Sequence, residues 1–257
     1  MSKAITFTGG LGAQIFSASG YFYLEAKGEA VSAYTGYFDS SPHIAKVGKL
    51  GDMSHWSWEL EEYGLFRNSF IKYSQNAGQD LIWDGPEKLR LGFLGLQNIA
   101  IRDKFPIHET AKKTIKSMFN NESYACVHIR RGDYLNVATH IIQDDVYIRA
   151  LRPILSLVKN ILIISDTPLT SELIYLLKNL PCNIVTAIGG SPHTAHGLMR
   201  MSDILICSNS QLSYTAGALR SNDKLTFFPT QHDGDLMSYT NTFIRSLSEF
   251  QLLTTLG

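Results

Sequence analysis

Four residues stand out for the chemistry their types could do: His128, Arg130, Arg131 and Asp133, within Tyr124-Ala125-Cys126-Val127-His128-Ile129-Arg130-Arg131-Gly132-Asp133-Tyr134. Guanidinium groups grip phosphate oxygens two at a time, so the adjacent arginines read as an anion site, with Asp133 orienting one of them. The plainer alternative is an Arg–Asp pair that closes a turn on the surface. The β-branched and aromatic run 124–129 predicts a short buried strand, and Gly132 predicts the turn after it. Such a strand delivers charge to its own carboxyl end, the edge of an open α/β sheet where ligands bind. His128 lies inside the apolar run, where a histidine serves equally as a ligand or as a hydrogen-bonded core residue.

Two further stretches carry backbone and hydroxyl donors. Gly9-Gly10-Leu11-Gly12 separates a predicted strand over 3–8 from a predicted helix over 13–26. Such a turn lets a phosphate approach a helix N-terminus, although glycines that merely supply a positive φ would read the same way. The spacing is not the GxGxxG dinucleotide fingerprint. Asn209, Ser210, Gln211 and Ser213 follow a predicted strand over 204–207 and precede a helix over 213–219. Hydroxyls there cap the helix, and a capped N-terminus with free donors is also an anion site. No metal is expected, because the adjacent Asp144 and Asp145 would diverge on a helix, and the arginines supply the positive charge instead.

The tract His128-Ile129-Arg130-Arg131-Gly132-Asp133-Tyr134 resembles the signature of the inverting α-1,2-fucosyltransferases and, more distantly, the HxRRxD element of the α-1,6- and protein O-fucosyltransferases. Two further blocks follow that family's order, GGLGAQIF at 9–16 and ILICSNSQLSY at 204–214, and Ser165-Asp166 is similar to its serine-aspartate pair. The resemblance implies a GT-B-like fold of two Rossmann-like domains facing each other across a cleft. It implies metal-independent transfer of L-fucose from a GDP-sugar to a hydroxyl of an oligosaccharide or lipid-linked glycan, in α-1,2 linkage, in bacterial O-antigen or other surface-polysaccharide synthesis. By position, Arg130 resembles the arginine on the diphosphate, Arg131 a second contact, Asp133 its orienting partner and His128 a residue near the base. Gly10, Leu11, Gly12, Ser165, Asp166, Asn209, Ser210, Gln211 and Ser213 complete the implied donor site.

The chain departs from that pattern in several places. Ala13 stands where the family has asparagine, residues 209–215 read NSQLSYT, and the tryptophan usual shortly after Ser165-Asp166 is missing. Ala195, with His196 beside it, falls where related enzymes place an aspartate on guanine. A donor with one hydroxyl fewer, such as GDP-colitose, would suit a site that has lost a polar side chain. For the general base the nearest residues are His140, Asp144, Asp145 and Asp166, and the family's habit of placing a histidine in this loop favours His140. A competing class is a nucleotide-sugar-binding module without transfer activity.

The 257 residues, 44% hydrophobic and 18% charged with formal net charge zero, describe a globular chain without the basic footprint of a nucleic-acid binder. Cys126, Cys182 and Cys207 lack metal-ligand spacing and read as reduced, mostly buried thiols, which fits a cytoplasmic setting. No apolar run reaches the ~20 residues of a membrane span. An apolar stripe from Phe243 to Leu253 suits either packing on its own domain or peripheral contact with the inner membrane. Strands and helices alternate from about residue 120, which predicts a parallel α/β sheet. The expected plan is an N-terminal Rossmann-like domain over 1–120 on the acceptor side, a nucleotide-sugar-binding domain over 121–235, and a C-terminal helix over 236–257. Residues 31–96 read as irregular, with a possible strand over 93–98, and helices are expected over 109–119 and 144–157.

Overall fold

The computed structural model describes residues 2–39, 57–74, 78–82, 85–136, 140–221, 223–232 and 235–244. The chain divides into two compact units, one from Met1 to Pro106 and the other from Ile107 to Leu256. The division falls earlier than the expected residue 120 because the helix over 109–119 packs within the second unit.

In the first unit, β1 (Lys3–Thr6) is the middle strand of a parallel sheet with the order β2-β1-β3, flanked by β2 (Val31–Tyr34) and β3 (Asp80–Ile82). Between β1 and β2 runs α1 (Leu11–Ala26), whose buried residues include Leu11, Ile15, Phe16, Ala18, Tyr21 and Leu24. It is covered by α2 (Pro86–Gln97), with Phe16 and Phe93 in edge-on ring contact at 4.9 Å. The second helix overturns the expected strand over 93–98. Gly92 and Gly95 remove side chains from the helix seam: a Cβ at Gly95 would lie 2.2 Å from the Ser19 carbonyl oxygen. Of the described aromatics in the irregular stretch, Phe70 is buried and Trp58 packs on it and on Phe7, with centroids 4.9–5.7 Å apart, whereas Phe66 is exposed. Trp56 and Trp83 lie outside the described residues.

The second unit is a six-stranded sheet with the order β6-β5-β4-β7-β8-β9. Its strands are β4 (Tyr124–Ile129), β5 (Asn160–Ser165), β6 (Asn183–Ile188), β7 (Ile204–Ile206), β8 (Leu225–His232) and β9 (Asp235–Ile244). The first five are parallel, and β9 returns antiparallel to β8. Helices α3 (Glu109–Phe119), α4 (Asp144–Leu151), α5 (Ser171–Lys178), α6 (Pro192–Met201) and α7 (Gln211–Ala218) complete the unit. The helix expected over 144–157 stops at Leu151, two residues before Pro153, and a 3-10 turn at Arg152–Ile154 follows. Ala125, Val127 and Ile129 project from β4 into one apolar core with Ile161, Ile163, Val146 and Leu151. Cys126 and His128, on the opposite face, are equally buried.

The strand β9 corrects the expected C-terminal helix over 236–244, and residues 245–257 lie outside the described residues. The stretch from Tyr239 to Ile244 is rich in threonine and aromatics, which favour a pleated strand. All three cysteines are free thiols, with Cys126 and Cys207 buried. Among the described residues no helix is long and apolar enough to cross a membrane.

Candidate functional site

From β4 the chain builds β5 and β6 on one side and, later, β7 and β8 on the other. The carboxyl ends of β4 and β7 therefore flank the switch point at which such sheets hold ligands. His128 sits there, with Ile129 beside Ser165 of β5 and Val127 beside Ile206 of β7. Directly beyond β4 come the two arginines.

The two arginines face different environments. Arg131 turns inward and is 7% exposed. Its guanidinium pairs with Asp144 at the start of α4, reaches the Arg130 carbonyl at 3.3 Å and lies over the Tyr147 ring. Thr170 donates to the other oxygen of Asp144 at 2.6 Å while accepting from the Leu173 N–H, so the buried charge pair is satisfied on both sides. Arg130 has a side chain 14% exposed; its Nη1 pairs with Asp166 Oδ2 at 2.8 Å and its Cζ lies 5.4 Å from the Tyr134 ring centroid. Asp166 Oδ1 accepts the Arg131 N–H at 2.8 Å. One carboxylate thus ties the backbone of the second arginine to the side chain of the first.

Gly132 makes this arrangement possible. Its φ is +28°, and a Cβ there would come within 2.4 Å of Asp166 Oδ2. Among the described residues the acids that hold the two arginines are Asp166 and Asp144, which the sequence reading weighed as bases. Asp133 lies on the 3-10 turn Gly132–Asn136, and its side chain is outside the described residues. Asp145 diverges from Asp144 as expected and pairs with Arg149 on the surface.

Across the switch point, the loop after β7 is shaped by its own hydroxyls. Ser208 Oγ lies 2.8 Å from His128 Nδ1 and 3.3 Å from Ser213 Oγ, and Ser213 donates to the carbonyls of Ser208 and Ser210. Ser210 caps α7 by accepting the Leu212 N–H, and Gln211 is the first helical residue. Ser213 is fully buried and so shapes the loop. Asn209 donates its amide to the His140 carbonyl, pinning the loop after β4 to the one after β7. Burial, reinforced by the charge on Arg130, pulls the His128 imidazole down to about 3, so it is neutral at physiological pH.

The remaining expected residues fall as follows. Ser165 is buried at the end of β5, and its carbonyl accepts the Gly189 N–H at 2.8 Å. His196 is packed between α6 and α7, with Nε2 3.2 Å from Thr215 Oγ1 and Nδ1 without a hydrogen-bond partner among the described residues. Burial lowers its affinity for a proton, and it takes no part in the network around Arg130. Gly10, Leu11 and Gly12 belong to the first unit. There Gly9 takes φ +68°, Gly10 precedes α1 in extended conformation, and Gln14 holds the turn through the Gly9 carbonyl at 2.8 Å.

Sequence reasoning missed Tyr134, Thr170 and Lys88. Lys88 is 3% exposed and places its ammonium 3.3 Å from Thr8 Oγ1, next to that glycine turn. Among the described residues no group of three or more His, Cys, Asp or Glu side chains is arranged to hold a metal. The chain does contain one Asp-x-Asp, Asp233-Gly234-Asp235; its first two residues lie outside the described ones and Asp235 begins β9.

No protein-family model matches the chain, and no curated protein sequence does. Solved structures similar in chain course include POFUT1 in complex with GDP, 12% identical over 86% of this chain and 95% of that chain, with a TM-score of 0.48. The fucosyltransferase NodZ from Bradyrhizobium is 12% identical over 88% of this chain and 95% of that one, with a TM-score of 0.45. The E. coli ADP-heptose lps heptosyltransferase II is 10% identical over 85% and 82%, with a TM-score of 0.43. Likeness this loose carries no argument by itself, and the function is argued from the residues.

Proposed function

We propose that the chain is a metal-independent, inverting glycosyltransferase that moves L-fucose or a closely related deoxy sugar from a GDP-sugar to a glycan hydroxyl. The observation that supports it most is the Arg130 guanidinium, fixed by Asp166 at the carboxyl end of β4. Breaking a glycosyl–phosphate bond leaves negative charge on the departing diphosphate, and a preorganised cation stabilises that charge as it develops. Arg130 supplies the cation and the α7 N-terminus supplies backbone donors. Arg131, committed to Asp144, serves as a positioning residue rather than a second phosphate contact.

In this reading the acceptor oxygen attacks the anomeric carbon from the face opposite the diphosphate. The bond to the phosphate oxygen breaks with its electron pair going to GDP, and the acceptor proton passes to a base. Asp144 and Asp166 are held by arginines, which leaves His140 in that role. The three sequence blocks support GDP-fucose as donor, α-1,2 linkage, the GT-B-like plan and surface-polysaccharide synthesis on the cytoplasmic side. The second unit is assigned to the donor and the first to the acceptor. Ala13, in place of the family's asparagine, favours GDP-colitose as the second donor to try.

The test is Arg130→Lys, which keeps the charge and loses the bidentate fork. Turnover of GDP-fucose or GDP-colitose should fall ~10²–10³-fold, the worth of one oxyanion-stabilising donor, with the melting temperature unchanged. Lys159→Arg is the control. Near-normal turnover in Arg130→Lys would overturn the assignment.

A further inference from the structure

We infer that Tyr134 is a positioning residue that sets the plane of the Arg130 guanidinium and seats His140 beside it. The inference rests on the transferase reading of the same site.

After Gly132 the chain folds back in a 3-10 turn, with the Tyr134 and Leu135 N–H groups both donating to the Arg131 carbonyl, at 2.7 and 3.2 Å. That turn returns the Tyr134 ring over the Arg130 guanidinium, 5.4 Å from Cζ to the centroid. His140 meets the same ring at 5.0 Å and an interplanar angle of 86°. The loop that carries His140 is fixed at its far end by Asn209, whose amide donates to the His140 carbonyl. Tyr134 therefore touches both the cation assigned to the leaving group and the imidazole assigned to the acceptor.

A guanidinium needs two constraints to hold its plane. Asp166 holds Nη1 at 2.8 Å and fixes one direction. The face of Tyr134 adds a constraint across the plane and draws the cation electrostatically onto the ring. Bidentate grip on a diphosphate depends on that plane, so the effect of Tyr134 is felt on phosphate held by Arg130. The ring, rather than the hydroxyl, carries this function.

The experiment measures GDP affinity by calorimetry at fixed ionic strength, together with donor turnover, for the wild type, Tyr134→Leu, Tyr134→Gln and Tyr134→Phe. Loss of the ring should weaken GDP binding about tenfold and lower kcat/KM, which includes that binding, about ten- to thirtyfold, the scale of a desolvated cation–π contact expressed as a ratio. Phenylalanine should restore both to within about threefold of the wild type. Either ring-less variant binding GDP and turning over like the wild type would overturn the inference. So would a phenylalanine variant as impaired as leucine, which would place the effect on the hydroxyl. A wild type that binds GDP but turns over no donor would sink the transferase reading, and the binding series would still decide the role of Tyr134. A wild type that binds no GDP would remove both.

Discussion

Replacing Asp166 by asparagine keeps the shape of the side chain and removes its charge. In the native arrangement Oδ1 accepts the Arg131 N–H and Oδ2 accepts from Arg130 Nη1, both at 2.8 Å. Asparagine has one acceptor oxygen, so whichever way it turns its NH₂ must face one of those two donors. The pair has side chains only 14% and 21% exposed, too enclosed for screening to cancel the charge. A hydrogen bond to a charged group is worth ~1.5–3 kcal/mol, and that is the expected scale of the loss. Expressed wholly in the transition state, it corresponds to about a ten- to 150-fold drop in turnover. Arg130 stays in place against Tyr134, so the drop should be smaller than for Arg130→Lys, and the two substitutions together should cost less than the product of their separate effects. The assay is turnover of the GDP-sugar, with and without acceptor, alongside thermal unfolding. Wild-type turnover with a lowered melting temperature would show that Asp166 serves only the fold. Turnover lower than that of Arg130→Lys would show that Asp166 acts on the reacting atoms, and the positioning argument would be wrong.

Acid stability should report on His128. Its imidazole is held well below the ordinary value of about 6.5, so the unfolded chain takes up a proton that the native one refuses. Stability should therefore fall as pH drops below the ordinary imidazole range, by up to ~1.4 kcal/mol per pH unit until about pH 3 is reached. Urea unfolding between neutral and mildly acidic pH should give a shallower decline for His128→Gln, and parallel curves would refute the assignment; His196, held neutral in the same way, leaves some decline in both. Excess chelator should leave turnover unchanged, since arginine supplies the charge. Loss with EDTA and recovery with manganese would overturn the metal-independent reading.

Much of the second unit is legible in the sequence because parallel strands buried on both faces write themselves as apolar runs. Residues 124–129 form a strand as read, and the equally apolar run 160–165 forms its neighbour. The placing of the two arginines is legible in the same way, since Arg130 and Arg131 follow directly from the end of β4. Their acid partners are not. Asp166 reaches Arg130 only because β5 pairs next to β4, and Asp144 reaches Arg131 because α4 starts beneath it, so both pairings are products of sheet order and not of sequence spacing. The helix over 86–97 is not legible for a different reason: glycine read alone weakens a helix, whereas Gly92 and Gly95 serve a close helix contact once the partner is present. The hairpin of β8 and β9 carried a signal that was passed over, the Asp-Gly pair at 233–234 between two runs of strand-forming residues.

The strand order has a consequence for how the molecule comes into being. Ser208 and His128 are hydrogen-bonded across 80 positions of sequence, whereas β4 and β5 are near neighbours along the chain. During synthesis the arginine end of β4 can gain Asp144 and Asp166 early, from segments that follow at once. It cannot gain the β7 loop or the α7 N-terminus until some 80 residues later, because closing so long a segment is an entropic cost met only when the strand arrives. The complete switch point, with all the groups assigned to the diphosphate, is therefore a late acquisition of the growing chain. Until then the edge of β4 that β7 will occupy is an open row of backbone donors and acceptors, exposed to any other strand that reaches it first.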